Sequence, residues 1–231
     1  MKSTGNDIVA LGSVDKHRTG QYRFYSKILS ASEQTLYQQM QFANLPFEHY
    51  LWLLWSVKES TFKFLKRSKP ELIFSPAKII IQYLEIPAMQ SMTKMDSYQS
   101  EFTGNAEEFY RAKVNFGSDI LYSRSKISKD WVATVVNDDE RFENVYWGIQ
   151  ATDGTDYYHQ SKAARSLLLN KINFFFPGDL TIKKSPIGYP VIMKATEEMN
   201  IPASLAHHGR FVAYSFILNL FKDDGSVSGL K

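Results

Sequence analysis

The sequence predicts an α+β protein built as two pseudo-repeated halves, each a long helix packed on an antiparallel sheet. Three observations carry this. Residues 47–69 and 157–174 each run without Gly or Pro and hold apolar residues at helical spacing. Each run is followed by short alternating or isoleucine-rich stretches separated by turn residues. Between the two groups lies the charged run Asn137-Asp138-Asp139-Glu140-Arg141, which divides the chain into residues 1–140 and 141–231.

In order, residues 5–11 read as a strand entering the core. Residues 15–29 mix charges with Tyr22, Phe24, Tyr25, Ile28 and Leu29, which predicts an irregular segment or a short helix. Ser30 with Glu33 three residues on makes a capping box that starts a helix running to about Gln41. Asn44-Leu45-Pro46 breaks it before the first long helix. Residues 77–86 follow as a strand, 87–106 as a polar loop without periodicity. Three antiparallel strands are predicted over 109–116, 120–125 and 131–136, the first pair joined at Gly117-Ser118-Asp119.

A strand over 145–150 then leads to the second long helix, with Ala163, Ala164, Leu167, Leu168 and Ile172 on one side and Pro177-Gly178 as its stop. Strands over 180–183, 191–193, 204–206 and 211–220 complete the reading. From Lys222 on, the Asp-, Gly- and Ser-rich composition predicts disorder.

Composition narrows the chemistry. An apolar fraction of 44%, with 14% aromatic, is enough for a sizeable core. The absence of cysteine excludes disulfides, thiolate zinc sites and thiol nucleophiles. A formal charge of +3 suits a phosphorylated ligand or an acidic partner. Interspersed acids argue against the continuous basic stripe of a nucleic-acid binder. No leader and no apolar run of membrane-spanning length is present, so the expectation is a soluble cytoplasmic protein with no membrane partner.

The first long helix organises the rest. Residues 50–57 are almost all apolar, and then come Lys58 and Glu59, two charges for which a helix core has no evident use. Glu59 and Lys63, four residues apart, share a face. On their own they read first as an ordinary exposed ion pair. Asp7, an acid inside an apolar strand, reads either as a turn or cap carboxylate or as a metal partner. His207, in Ser204-Leu205-Ala206-His207-His208-Gly209-Arg210, would singly be a structural histidine, and Gly188-Tyr189-Pro190 singly a turn.

Together these segments resemble the 4′-phosphopantetheinyl transferase superfamily. Its members carry a Gly-x-Asp-Ile/Val strand, a Trp-x-x-Lys-Glu-Ala/Ser-x-x-x-Lys helix, a Gly-Lys-Pro turn and a Ser-x-Ser/Thr-His segment. Here these are Gly5 to Ile8, Trp55 to Lys63, Gly188 to Pro190 and Ser204 to His207. The surfactin-type (Sfp-type) members place the Gly-Lys-Pro and Ser-His half first. This chain has the Asp and Lys-Glu half first, so it resembles either a permuted Sfp-type enzyme or a holo-acyl-carrier-protein synthase enlarged by insertion. Residues 161–169 with the later turn and His-His-Gly-Arg favour the former.

The resemblance implies transfer of phosphopantetheine from coenzyme A to a serine of an acyl or peptidyl carrier protein, releasing adenosine 3′,5′-bisphosphate. It implies Mg²⁺ held by Asp7 and Glu59, with Glu59, or a water bound to the metal, taking the serine proton and Lys63 meeting a phosphate. It further implies coenzyme A contacts from His207, Arg165, Lys63 and Ser204, in a cleft between the halves. One chain would supply both halves, so a monomer is expected. Lys63, Lys66, Arg67 and Lys69 would form a basic helix end able to steer an acidic carrier, or would simply compensate the helix dipole.

Val9 and Ala10 stand where relatives carry a further acid, Tyr189 replaces the basic turn residue, and Ala206 replaces a hydroxyl. A second reading is therefore a relative that binds coenzyme A without transferring.

Overall fold

The computed structural model describes residues 3–88, 99–102 and 106–218. The chain begins with strand β1 (Gly5–Ala10), a 3-10 turn, and the short helices α1 (Lys16–Thr19), α2 (Tyr22–Tyr25) and α3 (Ala31–Tyr37). The long helix α4 (Phe47–Lys66) precedes β2 (Ile80–Glu85), β3 (Gln99–Glu101), β4 (Tyr110–Phe116), β5 (Asp119–Ile127) and β6 (Trp131–Asn137). Then come β7 (Val145–Ala151), helix α5 (Tyr157–Phe175), β8 (Leu180–Lys184), β9 (Pro190–Lys194), β10 (Glu197–Glu198), β11 (Ala203–His208) and β12 (Phe211–Ile217).

A five-stranded antiparallel sheet has the order β1-β6-β5-β4-β2, a four-stranded one β11-β12-β7-β3, and β10-β9-β8 form a third. In both larger sheets the strand before the long helix pairs with the last strand of its group: β1 with β6, β7 with β12.

The elements end where the chemistry directs. Ser30 accepts from the Glu33 amide while the Glu33 side chain accepts from the Ser30 amide, closing the capping box at α3. That helix stops at Tyr37, four residues short of the expected end, and residues 40–42 form a separate 3-10 turn. Helix α4 follows Pro46, carries Glu48 in its first turn and Lys63 and Lys66 in its last, so its ends suit its dipole. Leu51, Leu53, Leu54 and Val57 are completely buried, and each side chain contributes about 1.5–3 kcal/mol of transfer free energy. Asp156 caps α5 through the His159 amide.

Three apolar clusters stack in order. Helix α4 covers one face of the five-stranded sheet, through Val9, Val114, Val132 and Val136. The opposite face, with Ile8, Ala133 and Val135, meets the four-stranded sheet at Trp147, Ile149 and Ala213. Helix α5 closes the far side over Val212, Tyr214 and Phe216.

One sequence expectation needs correction. Part of the loop expected over 87–106 is strand β3, which pairs with β7 and so joins the sheet of the second helix; residues 89–98 and 103–105 lie outside the described residues. Lys58, a charge for which the helix core offered no evident use, has one. It is buried, its Nζ 2.6 Å from Glu33 Oε2 and 2.7 Å from the Ile28 carbonyl. The remaining Glu33 oxygen accepts from the Ile81 amide at 2.9 Å, so the pair ties α3, α4 and β2 together. The predicted disorder from Lys222 on lies outside the described residues. Among the described residues, no helix is long and apolar enough to cross a membrane.

Candidate active site

The first feature of the site is a glycine. A β-carbon on Gly5 would stand 2.0 Å from the Ser60 carbonyl oxygen and 2.7 Å from the Phe64 nitrogen, so β1 and α4 touch backbone to backbone. Alternation along β1 turns Gly5, Asp7 and Val9 toward the helix. Asp7, two residues on from that contact, meets the helix at Lys63.

Lys63 Nζ lies 3.2 Å from Asp7 Oδ1, 3.2 Å from Glu59 Oε1 and 3.0 Å from the Asn6 carbonyl oxygen. The three expected residues therefore converge, with the ammonium between the two carboxylates. One cation serves two acids, leaving surplus negative charge where Asp7 is almost fully buried. Burial accordingly raises Asp7 to about 7, with Lys63 opposing and Glu59 adding to the rise. Lys63 loses solvent too, yet the two carboxylates outweigh that and hold its pKa above the ordinary value.

The second Asp7 oxygen, Oδ2, is buried without a hydrogen-bond partner. The nearby buried Ser56 hydroxyl helps hold the Asp7 charge without completing a bond to that oxygen.

Beside this group is a cavity of about 140 Å³. Tyr157, Ser161 and Arg165 line it at four-residue intervals along α5, with Lys183 and Lys184 from the end of β8 and His207 from β11. Its lining is cationic, with no carboxylate among these residues. This cavity is lined by residues 157–207 alone, so it lies within the second half and is not the cleft expected between the halves; neither Asp7 nor Glu59 lines it. Lys63 is near enough to disfavour protonation of His207, whose pKa is lowered first by burial and then by Lys63 and His208.

Arg165 and His207 come together in this cavity. Ser204 does not join them: its hydroxyl accepts from the Asn6 amide at 3.2 Å, on the seam between β11 and β1.

Sequence reasoning missed Lys183 and Lys184, which supply ammonium groups that Tyr189 does not. The signal was two lysines immediately ahead of the Gly188 turn. Tyr189 itself lies under the Arg67 guanidinium, 4.2 Å from ring centroid to Cζ. The basic end of α4 is engaged elsewhere. Lys66 donates to the Pro70 and Leu72 carbonyls, Arg67 to that of Ala203, and Lys69 pairs with Asp119.

The segment that carries the strand acid, the helix Glu and the helix Lys is covered by a family model. The model described as the 4′-phosphopantetheinyl transferase superfamily covers residues 3–136, more than half of the 231. The chain belongs to the 4′-phosphopantetheinyl transferase superfamily. It is a transferase of a group whose members use coenzyme A as substrate and act on carrier proteins. No curated protein and no solved structure matches it. The matched region of this phosphopantetheinyl transferase ends one residue before the last residue of β6, so it holds Asp7, Glu59 and Lys63 but not Arg165 or His207.

Proposed function

We propose that the protein moves 4′-phosphopantetheine from coenzyme A to a serine hydroxyl of an acyl or peptidyl carrier protein, releasing adenosine 3′,5′-bisphosphate. The observation that carries this reading is the convergence of Asp7, Glu59 and Lys63 beside a cationic cavity.

The donor set fits a divalent cation. Two carboxylates share one ammonium, and Asp7 Oδ2 is buried without a partner. Among the described residues no group of three or more His, Cys, Asp or Glu gathers, so a cation here would have two protein carboxylates and take its other ligands from water and substrate oxygens, which Mg²⁺ accepts. Asp7 and Glu59 would hold it. When bound it would supply charge neutralisation at the diphosphate.

The chain's own groups do the rest. The serine oxygen forms a bond to the phosphorus that carries the pantetheine arm, and the diphosphate bond to the nucleotide breaks, its electrons leaving on adenosine 3′,5′-bisphosphate. Glu59, partly solvent-exposed, accepts the serine proton. Lys63 turns from the carboxylates to a diphosphate oxygen as a point charge. His207, Arg165, Lys183 and Lys184 hold the nucleotide phosphate. A cavity of about 140 Å³ is phosphate-sized, so the arm and adenine lie outside it.

Ser204 serves this reading from the seam rather than from the ligand side. The shared order β1-β6-β5 and β7-β12-β11, each with its long helix after the first strand, supports two duplicated halves, residues 1–140 and 141–231, in permuted Sfp-type order. One chain then suffices, in the cytoplasm.

Incubation with coenzyme A, Mg²⁺ and a panel of apo-carrier proteins tests it. The expected result is a mass gain of one phosphopantetheine on a carrier serine, reduced about 10²–10⁴-fold by Glu59→Gln. Coenzyme A binding with no carrier modified would establish the non-transferring relative instead. No binding and no transfer would overturn both.

A further inference from the structure

The contacts of Gln160 carry an inference about how the cavity grips its ligand, which rests on the phosphate-binding reading above. Gln160, in the first turns of α5, is 7% exposed. Its Nε2 donates to the Thr155 carbonyl at 2.8 Å and to the Gly209 carbonyl at 2.6 Å. Both amide hydrogens are thereby used, and rotating the carboxamide by half a turn would set its oxygen against two carbonyl oxygens. The amide orientation is therefore determined by its surroundings.

Gln160 Oε1 is left facing His207 Nδ1 at 2.6 Å. An amide oxygen can only accept, so Nδ1 must carry the hydrogen. When His207 is neutral, Nε2 then has a lone pair and nothing to donate. The groups facing His207 are Tyr157 and Arg165 from α5, Lys183 and Lys184 from β8, Lys63 from α4 and His208 from its own strand. All of the charged ones are cationic; burial first, then Lys63 and His208, lower the pKa of the ring and so favour the neutral imidazole. A phosphate dianion brings only acceptors to it.

We propose that Gln160 is a positioning residue for His207: it holds the Nδ1–H tautomer, so that a phosphate monoester is gripped by the imidazole only together with a proton taken up at Nε2. The proton comes from solvent, goes to Nε2, and is returned when the bisphosphate product leaves. Gln160 touches neither substrate nor reacting atoms. It acts through His207, and its contacts to Thr155 and Gly209 set the ring against the start of α5 and the β11–β12 turn.

Two measurements decide it. In the ligand-free protein, imidazole ¹⁵N NMR at pH 8 should show His207 as the Nδ1–H tautomer, and Gln160→Leu should lose that signature. An Nε2–H tautomer in the wild type would overturn the proposal without any ligand.

Calorimetry with adenosine 3′,5′-bisphosphate at pH 8, in buffers of different ionisation enthalpy, should then show uptake of up to one proton per ligand. At that pH the ligand phosphates are already dianionic. His207→Ala should abolish the uptake. Gln160→Glu should also bring it toward zero, because a carboxylate on Nδ1–H charges the ring beforehand. Gln160→Leu should weaken binding by about tenfold, the loss of one well-set charge-assisted hydrogen bond.

Binding by the wild type without proton uptake, or uptake unchanged in His207→Ala, overturns the proposal and leaves the functional reading standing. No binding by the wild type overturns the functional reading and the proton-linked grip together, and the tautomer measurement still decides the placement by Gln160.

Discussion

Asp7 sits where a strand meets a helix with no side chain between them, and its carboxyl carries a charge that its surroundings only half compensate. Burial pushes its pKa up to about 7, above the ordinary aspartate value of 3.8. The native state therefore favours the protonated acid, and this group's contribution to stability is present below pH 4 and lost as pH rises through 7. In metal-free protein, urea unfolding should show that decline between pH 4 and 8, and Asp7→Asn should remove it. A divalent cation competes with the same proton. Mn²⁺ affinity measured by calorimetry should rise with pH up to about 7, by at most tenfold per unit, and then level off. A flat profile would remove Asp7 from the binding group. The spacing of Glu59 and Lys63 was legible in the sequence, because helical period is local. Their meeting with Asp7 was expected only through the family resemblance, since no local pattern shows it and it depends on Gly5 tolerating a helix carbonyl at a distance no β-carbon allows.

At the scale of elements, two contacts hold α4 where the site needs it. The buried Lys58–Glu33 pair attaches it to α3 and β2 with every carboxylate oxygen bonded. Breaking it singly, with Lys58→Met or Glu33→Gln, should cost about 3–5 kcal/mol by denaturant unfolding, because the partner stays buried and unpaired. The double variant should cost less than the sum of the two. Gly5→Ala should push β1 off α4, lowering the thermal midpoint and the transfer rate together. Transfer unaffected by the added methyl would show that this backbone contact does not set the site. The long helices and the capping box were readable because periodicity and caps are written in neighbouring residues. Strands β3 and β10, three and two residues long, carry no period to read. The use of the Lys58 charge was not legible, because its partner lies 25 residues earlier and only the fold brings the two together.

At the scale of the whole molecule, the two larger sheets meet along β1 and β11 through side chains. Ser204 and His208 accept from the Asn6 and Ala10 amides, and the Thr4 hydroxyl bonds to that of Ser215. Gly209, in the left-handed region at φ +57°, lets the β11–β12 turn press on Ala10 and Ser13. His208 Nδ1 can accept from Ala10 at 3.0 Å only while unprotonated. Burial lowers the His208 pKa against the opposing pull of Glu59, so this tie is complete above the ordinary histidine range and lost as pH falls below it. Hydrogen exchange at the Ala10 amide, corrected for intrinsic rate, should quicken below about pH 6 while Asn6 stays protected. Equal behaviour of the two amides would sink that assignment. The α+β class and the order of elements could be read from the chain, but this seam could not, because nothing local marks which strand edges will face each other.

The three residues of β3 belong by position to the first half and by hydrogen bonding to the second. During synthesis the ribosome delivers them well before their partner strand exists, so the early portion waits with an unfinished edge until residues 148–150 emerge. Truncation near residue 140 would therefore yield a fragment with an idle strand, prone to pair with its neighbours, and separate expression of the two portions would have to rebuild that ladder between chains.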